Sequence, residues 1–118
     1  MTDNKVRWLF RLAAIYGAVG LLPLYLAPLP ATGAEFQLGF IGLALVFQAL
    51  FWLIGTDPAR WRALMPFGVA EKLSFGLPVI LLAAQNRANP QLAAGAVIDL
   101  VLGAAFLWAY WRTGRRAA

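Results

Sequence analysis

QLAAGAVIDLVLGAAFLWAYW, residues 91–111, decides the fold of this chain. The stretch carries one charge, Asp99, and ends on Trp108, Tyr110 and Trp111 just before Arg112. A helix of that length rises about 30 Å, the thickness of a bilayer's hydrocarbon core. A carboxylate near the middle of such a core costs roughly 2.5–3.5 kcal/mol on insertion scales, so it faces a protein interior or a wet cavity. Gly95, Asp99 and Gly103 recur every fourth residue. On a helix they form one stripe of small residues around the carboxyl, the kind of stripe that packs against a neighbouring helix.

Three further apolar stretches precede it, and they predict spans at about 8–27, 36–55 and 63–84, with the fourth at 91–111. The first ends at Pro28 and Pro30, followed by Thr32-Gly33; the third ends before the polar loop Gln85-Asn86-Arg87-Ala88-Asn89-Pro90. Asp57-Pro58 offers an N-cap with proline at the first helical position. Pro23 and Pro78 fall inside spans and mark kinks. A cleaved signal peptide is the rival reading of the first stretch, because Lys5 and Arg7 precede it and small residues follow near Ala31. Its apolar part exceeds the usual 7–15 residues of a signal core, which favours a retained span. The connections are short, so consecutive helices run antiparallel. The expected fold is an all-α membrane protein, one domain over 1–118, built as an up-down bundle of four transmembrane helices.

Composition agrees. Of 118 residues 62% are hydrophobic and 13% charged, against roughly 45–50% and 25% in soluble domains. A soluble domain this small has too little interior to hide that much apolar surface. Cysteine and histidine are absent, which excludes thiolate or imidazole metal sites, histidine-ligated haem and Ser-His-Asp or Cys-His catalysis. No metal or cofactor is predicted; a quinone or a lipid is the ligand class the composition leaves open.

The net charge of +5 is arranged by position. Lys5, Arg7 and Arg11 open the first stretch, Arg60 and Arg62 precede the third, and Arg112, Arg115 and Arg116 follow the fourth. All ten basic residues except Lys72 and Arg87 thus fall on one side of a four-span topology, and the positive-inside rule puts both termini in the cytoplasm. Short clusters at helix ends are unlike a groove-tracking basic stripe, so nucleic acid is not a partner. Trp8 and Phe10, Phe51 and Trp52, Trp61, and Trp108, Tyr110 and Trp111 read as an aromatic belt on that side.

The functional candidates are the polar residues within the spans. Counted from Trp111, Asp99 lies about 18 Å from the cytoplasmic edge. Glu71 and Lys72 lie roughly 12–14 Å from it if the third span starts at Ala63, and Gln48 and Tyr16 roughly 10–12 Å. If Pro66 starts that span, Glu71 and Lys72 sit shallower and Lys72 can snorkel. Glu71 and Lys72 point about 100° apart, so they do not face one partner squarely. The simplest pairing is Lys72 with Asp99. Glu71, which shares a face with Ser74, Phe75 and Pro78, is left to pair with Arg11, to bond to Tyr16 or Gln48, or to stay protonated. Gln48 shares a stripe with Ala44 and Trp52; Ala13, Gly17 and Gly20 form a small-residue stripe on the first span, beside Tyr16.

Three segments, Arg11-Leu-Ala-Ala-Ile-Tyr-Gly17, Glu71-Lys-Leu-Ser-Phe-Gly76 and Ile98-Asp99-Leu-Val-Leu-Gly103, resemble the small bacterial four-helix membrane proteins grouped as DoxX-like, including BphX-like members. The resemblance implies a bacterial inner-membrane protein, in some relatives associated with quinone-linked oxidoreductases. It assigns no catalytic residue. The leading expectation is therefore a non-catalytic accessory or anchoring subunit that associates with itself or with a larger membrane complex. Its main rival is a binding or transport module for protons, a quinone or a small amphipathic molecule, using Glu71, Lys72 and Asp99. A third reading is a membrane enzyme with Glu71 or Asp99 as general acid–base.

Overall fold

The computed structural model describes residues 4–117, with side chains to residue 114; the side chains of Arg115 and Arg116 lie outside the described residues. The chain is all-helical over that range. Helix α1 (Asn4–Leu21) passes into a 3-10 turn at Leu22–Leu26, and α2 (Ala34–Thr56) follows. A second 3-10 turn at Arg62–Leu64 leads directly into α3 (Met65–Ala84), and α4 (Pro90–Ala117) completes the chain. With the 3-10 turns included, the apolar segments are 23, 23, 23 and 25 residues, each long and apolar enough to cross a membrane.

The ends of the helices follow from local chemistry. At Pro23 the missing amide ends regular α-helical bonding, and α1 tightens into the 3-10 turn. At Pro78, α3 continues as helix. Asp57 caps one isolated helical turn, its Oδ1 accepting from the Arg60 amide at 3.4 Å and its carbonyl from Trp61 at 3.1 Å. Pro66 sits in the first turn of α3, where its lack of an N–H costs nothing. The α3–α4 loop is a Schellman closure: Asn86 adopts a left-handed φ of 57°, and the amides of Arg87 and Asn86 donate to the carbonyls of Leu82 and Ala83 at 2.8 and 3.0 Å. Asn89 then caps α4, its Oδ1 accepting from the Gln91 amide at 2.7 Å, with Pro90 first in the helix.

Packing is uneven. α1 lies closely along α2 and α3 along α4, forming two hairpins that touch each other far less. Small residues set the intimacy within hairpins. A Cβ on Gly76 would stand 2.7 Å from Leu100, and one on Gly103 would stand 3.2 Å from the Lys72 Cβ. Between hairpins, the core gathers at the end that bears the termini. There the fully buried rings of Phe10, Phe51 and Phe106 meet, with centroids 4.3 Å apart for Phe10–Phe106 and 4.9 Å for Phe51–Phe106. Gly68 of α3 leaves room for this plug, since a Cβ there would stand 3.0 Å from Phe51 and 3.3 Å from Phe106. Each helix thus contributes one residue to a single knot.

Phe10 and Phe51 therefore do not belong to the aromatic belt the sequence suggested; both are 0% exposed. Trp8, Trp52, Trp108 and Trp111 do face outward, whereas Trp61 and Tyr110 are half-buried against the core. Arginines stack on three of these rings, Arg60 on Trp61 at 4.7 Å, Arg62 on Tyr110 at 3.8 Å, and Arg112 on Trp108 at 5.2 Å. Elsewhere the surface is apolar. Only 17–28% of each candidate span is buried within the chain, and Leu26, Phe36, Leu43, Val101 and Leu81 are among many large side chains left outside. That area requires lipid or another apolar partner to cover it.

Candidate functional site

Away from the aromatic plug the two hairpins part, and a cleft of about 300 Å³ opens between them. α1 contributes Tyr16, Gly17 and Gly20, α2 contributes Phe40, Ala44 and Gln48, α3 contributes Glu71, Lys72 and Phe75, and α4 contributes Gly95 and Asp99. Five of the six polar candidates thus line one cavity. Leu24 and Leu92 stand toward the loop end, where α1 finishes and α4 begins.

Lys72 is the centre of the polar group. Its side chain is 3% exposed, and its Nζ lies 3.3 Å from Asp99 Oδ1, to which it donates a hydrogen bond, and 3.5 Å from Glu71 Oε1. The Phe51 ring centroid is 5.1 Å from the same nitrogen, so the ammonium rests directly on the aromatic plug. The Lys72–Asp99 contact is the one that helical depth suggested. The contact with Glu71 is one the sequence reading, with Arg11, Tyr16, Gln48 or a proton as the candidates for Glu71, does not offer. A lysine has four methylenes, and the chain curls back across the 100° between the two positions. Glu71 and Asp99 therefore flank one ammonium from two different helices.

Arg11 is not part of this cluster. Its guanidinium lies 5.4 Å from the Trp8 ring and 5.6 Å from the Trp52 ring, and its stem covers Gly55. It sits more than a turn of α1 below Tyr16 and does not line the cleft, and the ion pair of Glu71 is with Lys72 rather than Arg11. Gly95 also differs from expectation. A Cβ added there would have no atom within 4 Å, so Gly95 opens onto the cavity while Gly103, two turns on, makes the helix contact.

Gln48 is 5% exposed. Its Nε2 donates to the Ala44 carbonyl one turn back, at 2.8 Å, which fixes the amide's orientation and leaves Oε1 buried without a hydrogen bond. Glu71 Oε1 is likewise buried without one, its approach to Lys72 being an ionic contact without hydrogen-bond alignment. Ser74 turns away, donating from Oγ to Ala70 at 2.7 Å. Glu71 also borders a second, outer hollow between α2 and α3, lined by Phe40, Phe47, Ser74 and Pro78 among others. Phe40 and Phe75 line both spaces and stack with centroids 5.7 Å apart, so this ring pair is the partition between them.

Phe40, Leu24 and Leu92 were not among the residues singled out from sequence. Each extends a stripe that was: Phe40 lies one turn before Ala44 and two before Gln48, Leu24 one turn from Gly20, and Leu92 three residues before Gly95. Continuing those stripes by a turn finds them. Among the described residues no three carboxylates converge, so the two acids here do not amount to a metal cage. Comparison of the chain with protein-family models, with curated proteins and with solved structures finds no match.

Proposed function

We propose that this chain is a multi-pass protein of the bacterial inner membrane, with both termini in the cytoplasm, that binds a small amphipathic molecule in the cleft between its two hairpins. The supporting observation is the cleft itself: an apolar space of about 300 Å³ whose inner end carries Glu71, Lys72, Asp99 and Gln48. Small-molecule sites have this form, a mostly apolar concavity with a few placed polar groups, from about 300 Å³ upward. A structural clasp alone needs no such void. An engineered apolar cavity of about 150 Å³ holds benzene, so this one has room for about a dozen non-hydrogen atoms. The test is ligand-detected binding to the full chain in nanodiscs, with Gly95→Leu as the control that fills the cleft. Gly95 has open space around its Cβ position, so the variant keeps the fold and loses binding. Retention of binding by Gly95→Leu would falsify the location.

A second reading has its own support. The Lys72–Asp99 bond and the close approach at Gly76 and Gly103 weld α3 to α4, as the anchoring subunit of a larger membrane assembly requires. Large apolar side chains outside the bundle supply a surface for such a partner or for a second copy. The resemblance to DoxX-like proteins suits either reading. Cross-linking of the full chain in native membranes separates them, because an anchor yields a stoichiometric partner and a ligand-binding module does not depend on one.

A further inference from the structure

Two arginines at the start of α1, Arg7 and Arg11, stand one turn apart on one face of the helix, where like charges repel. Among the described residues no oxygen accepts a hydrogen bond from either guanidinium, and no carboxylate pairs with one: Glu71 and Asp99 are engaged with Lys72, and Asp57 caps the turn that follows α2. Arg62 shows the contrast, its Nε donating to the Tyr110 carbonyl at 2.9 Å. Gly55 near the end of α2 lets this part of α1 come close. A Cβ there would stand 2.8 Å from Arg11 Cγ and 3.0 Å from the Arg7 carbonyl oxygen. Both side chains are half-buried as a result. Nε of each is shut in against the protein without an acceptor, so the terminal nitrogens are the ones that can meet an outside partner.

Resting on the membrane-spanning reading above, we infer that Arg7 and Arg11 together hold the phosphate of an anionic phospholipid in the leaflet on the side of the termini. Side chains on a helix tilt toward its N-terminus, so Arg11 leans back toward Arg7 and toward the headgroups. With Trp8 at the hydrocarbon edge, Arg11 branches from the helix about 5 Å inside that edge and Arg7 just outside it. The pair thus straddles the depth at which lipid phosphates begin, and an arginine so placed reaches outward to them. A guanidinium takes a phosphate through parallel N–H···O bonds, and two guanidinium groups match the two unesterified oxygens of a phosphodiester. Trp8 and Trp52, 52% and 46% exposed, flank Arg11 at 5.4 and 5.6 Å and offer apolar faces to the acyl chains. A choline or ethanolamine headgroup brings a further cation to a place that already holds two, whereas a glycerol headgroup brings none. A free phosphate lacks the chains that the two tryptophans cover.

The test places the full chain in nanodiscs of phosphatidylcholine doped with phosphatidylglycerol and counts the lipids retained on the protein by native mass spectrometry. The expected result is that phosphatidylglycerol is retained over phosphatidylcholine by about tenfold or more, since each basic residue at an anionic surface contributes about fivefold. Arg11→Gln keeps the stem that covers Gly55, and Arg7→Gln makes the same exchange one turn away; each is expected to lower that preference about fivefold. Arg87→Gln removes the same charge from the α3–α4 loop at the other end of the bundle, where Arg87 bonds Gln85 at 3.1 Å, and is expected to leave the preference unchanged. Equal losses from Arg87→Gln and from the α1 variants would mean that net charge alone selects the lipid, and would overturn the site. An absence of preference in the unmodified chain would overturn it too, while leaving the membrane-spanning reading in place. Inorganic phosphate is expected not to displace the retained lipid; displacement by it would overturn the assignment to a phospholipid. A chain that does not enter the discs refutes the membrane-spanning reading itself, and this inference with it.

Discussion

A double-mutant cycle on Lys72 and Asp99 measures what holds α3 to α4. The structure makes the singles unequal. Lys72→Met strips the ammonium from two carboxylates at once, whereas Asp99→Asn leaves Lys72 with Glu71 at 3.5 Å. At the 3.3 Å separation of Nζ and Oδ1, Coulomb's law with an effective dielectric of about 20 gives a gross attraction of about 5 kcal/mol. Most of that is cancelled by desolvation of the two charges. Asp99 also keeps 17% of its side chain exposed toward the cleft, which softens the pair further. Interhelical polar pairs measured in membranes reach only about 1.7 kcal/mol, so a coupling of about 1–2 kcal/mol is expected here. Lys72→Met alone is expected to cost about 3–5 kcal/mol, the loss typical of a buried charge left uncompensated. Asp99→Asn alone is expected to cost about 1–2 kcal/mol. The assay is reversible unfolding of the four proteins in mixed micelles, read by circular dichroism. A coupling indistinguishable from zero, or an Asp99→Asn loss as large as that of Lys72→Met, refutes the shared-ammonium geometry.

Other consequences are independent of that pair. Gly76→Ala drives a methyl into Leu100 and is expected to destabilise by about 1–2 kcal/mol through overpacking, while Gly95→Ala meets open space and gains up to about 1 kcal/mol of helix propensity; the same unfolding assay on both distinguishes them. Phe106→Ala removes a ring that stacks on Phe10 and packs against Phe51, and is expected to cost about 3–5 kcal/mol and to separate the hairpins, seen as loss of cross-hairpin distances in spin-label measurements. Asn86→Val forces a β-branched residue to a φ of 57° and is expected to lose about 1–2 kcal/mol, whereas Asn86→Gly stays within a few tenths; equal stabilities would mean the loop does not require the left-handed turn. Because the chain has no cysteine, single cysteines at Ala59 and Ala88 can be labelled in intact cells without background, and the proposed topology expects only Ala88→Cys to react with an impermeant maleimide.

The helices were the legible part of the fold. Runs of uncharged residues such as Leu12 to Ala34 state a segment's length, and length against bilayer thickness is nearly the whole criterion for a span. The meeting of Lys72 with Asp99 was also legible, because a rise of about 1.5 Å per residue converts position into depth. Separation between hairpins was not. Gly95 and Gly103 look alike in a pattern of small residues, yet one opens on a cavity and the other touches Lys72. A glycine marks where close approach is allowed, not whether a neighbour takes it. Phe10 and Phe51 were misplaced for a related reason: near a helix end an aromatic serves interface or core equally well, and the presence of Gly68 opposite decides. Arg11 was read by its charge, but its stacking on Trp8 and Trp52 follows from guanidinium planarity and from rings one turn away on α1 and facing it on α2.

The hairpin-in-hairpin asymmetry also orders the events of folding. Contacts within α1–α2 and within α3–α4 join residues close in sequence, and such contacts form early because little chain entropy is lost in making them. The aromatic knot joins Phe10 to Phe106 across nearly the whole chain, so it is the last contact to close. Each hairpin is accordingly a unit of assembly. A chain severed in the segment around Pro58, with the halves co-expressed, has only Phe10, Phe51, Gly68 and Phe106 and their neighbours to find before it is whole.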